Sequence, residues 1–255
     1  MSTNVQTKIN QLLQSQPPGV VFLASWLEAN GYSRELQRKY INTGWLQPVG
    51  RGALIRTGQV VDWTGALYSL QTQAEYEIHV GGRSALSMMG MAHYLELKTE
   101  RITLFASRGI HLPAWFRNYY QSLEFMLNNT EFLPAKSGLS SFDEKSYSIK
   151  ISGPARACLE CLYLSPGKFS LTESFQLIEG MTTLLPEDVQ ELLEKCNSVK
   201  TVRLFLFMAS KAKHAWVKHL DMSRINAGKG KRSIVKNGVY IPEYQITIPI
   251  ELSEM

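Results

Sequence analysis

Apolar residues recur at helical spacing near the start of the chain, at Val5, Ile9, Leu12 and Leu13, and the pattern stops at Pro17-Pro18-Gly19. That spacing predicts a helix over 4–14. Residues 20–23 form a short apolar run, either a minor strand or a lead into the next helix. From 25 to 56 the chain reads as helix, tight turn, second helix and short β-hairpin. Ser25 with Glu28 three residues later makes a capping-box pattern, which places a helix start at Ser25. Gly31 can take the positive φ that ends this helix. Ser33 is then a second N-cap candidate, and Gly44 a second stop. At about 100° per residue, Leu36, Tyr40 and Thr43 share one face of the second helix. Arg34, Arg38 and Asn42 lie opposite, with Gln37 and Ile41 at the flank. Residues 45–49 and 53–56 make two hairpin arms that turn at Gly50-Arg51-Gly52.

Beyond residue 61 helix and strand patterns alternate. Asp62 is placed to cap a helix with Trp63, Ala66, Leu67 and Leu70 on one side. A strand over 77–80, a Gly81-Gly82 turn and a helix over 83–89 follow. Strand, glycine turn and helix invite a phosphate-loop reading, but such loops need a further spaced glycine or a Lys-Ser/Thr pair. A plain strand-to-helix turn is the simpler reading. Residues 101–106, 123–127 and 146–151 predict strands. Gly153-Pro154 opens an apolar helix, with Pro154 at a first helical position. Further helices are expected over 170–180, 186–195 and 199–220, although Leu204-Phe205-Leu206-Phe207 would suit a strand in isolation. The tail over 232–252 has strand-like stretches broken by Asn237-Gly238, Pro242 and Pro249. The expected class is α+β, with an N-terminal winged helix-turn-helix over 1–61 and a larger mixed α/β domain over 62–255.

The 255 residues suffice for a substantial core. No apolar run approaches the roughly 20 residues of a membrane-spanning helix, and the polar N-terminus lacks the apolar core of a signal peptide. A cytoplasmic protein is therefore expected. Net charge is +5, and its distribution is uneven. Residues 1–61 carry Lys8, Arg34, Arg38, Lys39, Arg51 and Arg56 against Glu28 and Glu35, for a local +4. Residues 211–236 carry Lys211, Lys213, Lys218, Arg224, Lys229, Lys231, Arg232 and Lys236 against Asp221, for +7. Two basic blocks on an acidic background suggest directed contact with a polyanion or an acidic partner.

Catalytic and metal chemistry is not prominent. Cys158 and Cys161 form one CxxC inside an apolar helix, Cys196 is distant, and an odd set of three makes no disulfide framework. Buried thiols acting as small hydrophobes are expected. His214 and His219 are five apart, a poor match to the i, i+4 spacing of helical metal ligands, and are expected on a basic helical surface. His79, His93 and His111 are scattered, and no Ser or Cys sits in a nucleophile elbow. Neither an enzyme nor a cofactor is expected.

The second helix carries the functional reading. Packed by Leu36 and Tyr40, it would present guanidinium and amide groups able to bond base edges in a major groove, with Lys39 suited to phosphate. Arg51 at the hairpin tip would meet the sugar-phosphate backbone or an adjacent minor groove. The alternative is an ordinary helical hairpin with a solvated basic face.

Three blocks of the chain resemble a known family. SRELQRKYINTGWLQPVGRGALIR is similar to the winged-helix segment of AbiEi-type antitoxins of type IV toxin–antitoxin systems. WTGALYSLQTQ with HVGGRSALSMMGMAHYL resembles that family's next block, and LDMSRINAGKGKRSIVKNGVYIPEYQITIP resembles its closing segment. The resemblance implies an N-terminal domain that binds double-stranded promoter DNA and represses its own operon; one winged domain covers a single half-site, so two copies on an inverted repeat are expected. It also implies a C-terminal domain that neutralises a cognate nucleotidyltransferase toxin of the AbiEii type. DNA-reading roles carry over onto Ser33, Arg34, Gln37, Arg38 and Lys39, and onto Arg51 in the wing. For toxin contact, or for an extended DNA footprint, charge alone nominates Lys211, Lys213, Lys218, Arg224, Lys229, Lys231 and Arg232. Two competing readings remain. One is a nucleic-acid-targeted enzyme resting on Gly81-Gly82 and Lys229-Gly230-Lys231, and the other is a regulator whose larger domain senses a small ligand.

Overall fold

A computed structural model describes residues 7–91 and 101–255 of the chain. Val5, in the first apolar pattern, and His93 lie outside the described residues.

The N-terminal unit runs α1 (Lys8–Ser15), β1 (Phe22–Leu23), α2 (Ala24–Ala29), α3 (Arg34–Asn42), β2 (Leu46–Gly50) and β3 (Ala53–Arg56). The strands form an antiparallel sheet in the order β1-β3-β2, with Phe22 opposite Leu54 and Leu23 opposite Ala53. Residues 20–23 thus contain the minor strand beside the wing. Successive side chains of a strand point to opposite faces, and both faces of this sheet are covered. Phe22, Leu46 and Leu54 pack with Leu12, Leu27, Tyr32 and Tyr40 of the helices. Leu23, Ala53 and Ile55, with the neighbouring Val21, turn the other way and join the core of the rest of the chain.

The expected capping box at Ser25 does not form. The helix begins at Ala24, its N-cap is Leu23, and no side chain caps it. The Ala24 amide bonds instead to the Gly52 carbonyl in the wing turn (2.9 Å). The strand therefore feeds the helix directly, and Glu28 is left for another partner.

Helix α4 (Trp63–Thr72) seals the outer edge of β1. Ser69 Oγ donates to the Val21 carbonyl (2.6 Å) and accepts from the Val21 amide (3.1 Å). The Gln73 side chain accepts from the Leu23 amide (2.8 Å) and donates to the Val21 carbonyl (2.8 Å). These bonds supply what a fourth strand would supply. Close approach requires Gly65, where a Cβ would lie 1.9 Å from the Gly19 carbonyl oxygen. Asp62 holds the N-cap position, but its side chain makes no capping bond.

The larger part contains β4 (Ile78–Val80), α5 (Gly82–Met88), β5 (Arg101–Ala106), α6 (Ala114–Tyr119), β6 (Glu124–Asn129), β7 (Leu139–Asp143) and β8 (Ser148–Ser152). Its sheet order is β6-β5-β4-β8-β7, with parallel β5–β6 and β4–β8 pairs and antiparallel β4–β5 and β7–β8 pairs. Helices α7 (Pro154–Leu164), α8 (Leu171–Glu179), α9 (Pro186–Lys195) and α10 (Val199–Lys211) follow. The tail adds β9 (Arg232–Ser233), β10 (Val239–Ile241), β11 (Ile246–Ile248) and α11 (Ile250–Glu254). Mixed helix and sheet in two unequal parts is the α+β class expected.

Three helices or strands lie outside the sequence pattern: α6, β7 and α11, the last where the tail pattern is strand-like. The helix expected over 199–220 ends at Lys211, because the backbone reverses at Lys213 (φ +58°). A 3-10 turn follows over Ala215–His219. This reversal turns His214 inward, a correction to its expected surface position. Its Nε2 meets the Ile178 carbonyl (2.7 Å) and its ring stacks on Trp216. Leu204-Phe205-Leu206-Phe207 is helical and buried, since α10 is covered on nearly every side.

Candidate nucleic-acid interface

The orientation of α3 decides what the N-terminal unit can present. Ser33 Oγ accepts from the Leu36 amide (3.3 Å) at the start of the helix, and Gly31 and Gly44 take positive φ on either side. The inward residues are Gln37 and Tyr40, while Leu36 and Ile41 are half-buried at the edges. Thr43, expected on the packed face, is exposed at the C-cap, where its hydroxyl bonds back to the Lys39 carbonyl.

Gln37 corrects the list of base-reading candidates. It is buried, and its Nε2 donates to the Tyr32 carbonyl (2.8 Å) and the Ala24 carbonyl (3.2 Å). Both amide hydrogens are spent on bracing α3 against the start of α2 and the preceding turn. The side chain has no donor left for a ligand.

Ser33, Arg34, Arg38 and Lys39 are exposed, as is Arg51 at the wing turn. The Arg34 side chain is 83% exposed, yet its Nε donates to Glu28 of α2. That bond and charge hold the guanidinium above its usual proton affinity and point it along the helix flank. Among the described residues Arg38, Lys39 and Arg51 carry no ion pair. A groove between α3 and the wing is lined by Arg34, Arg38, Ile41, Pro48 and Gly52.

Arg56 and Lys8, counted in the same basic block, serve the fold. The Arg56 guanidinium donates to the Leu13 and Gln16 carbonyls (both 2.6 Å), and burial lowers its proton affinity. The Lys8 ammonium donates to the Gly31 carbonyl (2.6 Å).

The second basic block is scattered over several elements. Lys213, Lys218, Lys229, Lys231 and Arg232 are exposed, and Lys231 lies over the Tyr240 ring at 5.0 Å. Lys211 is half-buried and donates to the Ser253 carbonyl (3.0 Å). Arg224 pairs with Glu194 on α9 (3.0 Å). The block therefore presents five of its seven nominated cations freely and uses two to hold the tail and the 222–224 turn.

The strand-glycine-helix turn at 80–82 is filled from within. Glu160 Oε2 accepts from the Gly82 amide (2.8 Å), and a Cβ on Gly81 would stand 2.2 Å from that oxygen. The place a phosphate would take at the start of α5 is held by this carboxylate. Glu160 also meets His79 (2.9 Å), Arg156 (2.8 Å) and the Ser152 hydroxyl (2.6 Å). Burial alone would raise the Glu160 carboxyl, but His79, Arg156 and Ser152 together hold it below the usual carboxylate range. Sequence reasoning missed this cluster because its members are up to 81 residues apart.

The cysteines behave as hydrophobes. Burial pushes the Cys158 thiol up to about 12 and Cys196 to about 11, and Cys161 well above its ordinary value. Among the described residues no group of His, Cys, Asp and Glu is arranged to hold a metal ion. None of the described helices is long and apolar enough to cross a membrane.

Residues 99–249 match a family profile described as transcriptional regulator, AbiEi antitoxin, type IV TA system. Residues 5–97 match a second, described as transcriptional regulator, AbiEi antitoxin N-terminal domain. The chain belongs to the AbiEi antitoxin family of transcriptional regulators. AbiEi proteins form a family of regulators and antitoxins, not of enzymes. The two AbiEi profiles meet at residues 97–99, past α5, and not at the wing. No curated protein sequence matches this AbiEi chain. Among solved structures, the crystal structure of RV2827C protein from Mycobacterium tuberculosis superposes on 93% of this chain and 88% of its own, with a TM-score of 0.58 and 17% sequence identity. At that identity the AbiEi chain and the mycobacterial protein share a fold.

Proposed function

We propose that this AbiEi-family protein is a bifunctional type IV antitoxin. It represses its own operon by binding promoter DNA through the winged unit, and it neutralises a cognate nucleotidyltransferase toxin through the larger part. In this reading residues 1–61 form the DNA reader and residues 62–255 the antitoxin domain. The observation that carries the DNA role is the exposed, cationic outer side of α3, with Arg38 and Lys39 unpaired and Arg51 at the wing tip beside it.

The physical basis is counterion release: affinity falls with salt at a slope of about −0.9 per phosphate neutralised. One winged unit covers one half-site, and two copies on an inverted repeat about one helical turn apart, or a multiple of it, supply further specificity. Repression follows where the repeat overlaps the promoter. Replacing Arg34 and Arg38 together with Ala should abolish retardation of the upstream promoter fragment while rescue from the toxin persists. Unchanged retardation would remove α3 from the interface.

Contact with the toxin is assigned to the exposed cations Lys213, Lys218, Lys229, Lys231 and Arg232. Their support is charge and exposure, and the acidic partner they require is the toxin surface. Lys211 and Arg224 are held by the fold and leave the original set of seven.

A further inference from the structure

The inward pair Gln37 and Tyr40 fixes the opposite side of α3, and that side is centred on a carboxylate. Residues at i, i+3, i+4 and i+7 share a helix face. Opposite Gln37 and Tyr40 stand Glu35, Arg38, Lys39 and Asn42, all exposed. Arg34 sits at the edge of this stripe, tied to Glu28. Glu35 and Asn42 point most squarely away from the core. Among the described residues the Glu35 carboxylate forms no ion pair and no hydrogen bond, although Arg38 and Lys39 are three and four residues away.

We infer that Glu35 is a base-reading residue that accepts a hydrogen bond from a cytosine amino group in the major groove, with Asn42, two turns further along the same stripe, reading an adenine further along the site. The inference rests on the DNA-binding reading above. An unpaired carboxylate at the centre of a face that meets a polyanion weakens attraction to every phosphate. It gains affinity only where a base presents a donor, and in the major groove cytosine presents its N4 amino group. Specificity arises because the same charge that opposes DNA in general is rewarded at one base pair. Asn42 carries the complementary amide, which matches adenine N6 and N7. Arg38, between them on the stripe, suits guanine O6 and N7.

A competing role for Glu35 is favourable interaction with the positive end of the α3 dipole, since it lies in the first turn. That role would change stability and leave base preference untouched. The two are separated by selecting duplexes from a library randomised over ten consecutive positions, using the full chain, and measuring thermal unfolding in parallel. The wild type should select cytosine at one position of each half-site. Glu35→Gln should shift that position towards adenine, because a glutamine amide pairs with adenine N6 and N7. Glu35→Ala should lose selectivity there by about tenfold or more, while its affinity for the unselected library rises. A Glu35→Ala protein that selects the wild-type motif unchanged overturns the inference, whatever happens to its unfolding temperature. A wild type that retains no duplex overturns the DNA-binding reading itself, and the inference with it.

Discussion

Gly50 in the wing faces Trp115 of α6 so closely that a Cβ on the glycine would stand 2.6 Å from the Trp115 Cβ. Trp115 is buried and belongs to the large core. The wing is therefore braced from behind by the larger part of the chain, and its tip residue Arg51 follows the contact directly. This contact anchors the end of edge strand β2 and so holds the tip in place. Gly50→Ala should destabilise the protein by about 1–3 kcal/mol, the usual cost of overpacking. Thermal or urea unfolding measures this. Arg51→Ala, one residue on and exposed, should leave stability within about 0.5 kcal/mol and reduce the salt slope of DNA binding by about one unit.

Gln37 and Arg38 are neighbours with opposite duties. Gln37→Ala removes both bonds to the Tyr32 and Ala24 carbonyls. Leaving the buried Tyr32 carbonyl without this partner costs about 1–3 kcal/mol, so unfolding should come at lower urea. Arg38→Ala should unfold like the wild type and lose DNA retardation. The reverse outcome, with Gln37→Ala stable and defective only in binding, would mean that Gln37 turns outward on DNA.

Glu28 restrains Arg34. Glu28→Gln keeps the side-chain size but removes the charge that neutralises the guanidinium. Affinity for any duplex should rise severalfold at low salt, and the salt slope should steepen by up to about 0.9 if Arg34 gains a phosphate. In an Arg34→Ala background the same substitution should have little effect. A double-mutant cycle measured by fluorescence anisotropy decides this.

Much of the winged unit was legible because its determinants are local. Ser33 caps α3, Gly31 and Gly44 take positive φ beside it, and the hairpin turns within the expected Gly50-Arg51-Gly52, although Gly50 itself still pairs with Ala53. Gln37 was not legible, since an inward amide is recognisable only from partners on another element. The same holds for Ser25, whose capping role is pre-empted by the Gly52 carbonyl. The Glu160 cluster joins β4, β8, α5 and α7 through contacts that no local window contains. The inward place of His214 depends on contacts distant in sequence, with its ring on the Ile178 carbonyl and the neighbouring Trp216 indole donating to the Met181 carbonyl (2.9 Å) just past α8. Local chemistry thus gives the reading head, and long-range contacts decide which of its residues face outward.

The Glu160 cluster sets an acid limit. The carboxyl is held below its unfolded value, so its contribution to stability is whole above the ordinary carboxylate range, near pH 4.3. It is lost as pH falls through the lower folded value. Wild-type stability should therefore drop on acidification below about pH 4. Glu160→Gln should be less stable at neutral pH by about 3–5 kcal/mol, because the buried Arg156 guanidinium loses its counter-charge. It should also show a shallower fall with acid. Equal acid slopes for variant and wild type, measured by urea unfolding from pH 3 to 7, would place the acid sensitivity elsewhere.

The free part of the second basic block provides the remaining prediction. Lys218, Lys229 and Arg232 are exposed and unpaired among the described residues, whereas Lys211 and Arg224 are committed to Ser253 and Glu194. Reversing all three to Glu changes the local charge by six without removing a contact that holds the fold. The triple variant should keep its unfolding temperature within a few degrees and fail to rescue cells that express the toxin. Its retardation of promoter DNA should persist if α3 and the wing carry that function alone. Joint loss of rescue and retardation, with stability intact, would extend the DNA footprint onto the tail. Unimpaired rescue would clear these three cations of any part in toxin contact and leave Lys213, Lys231 or another surface of the larger part to supply it.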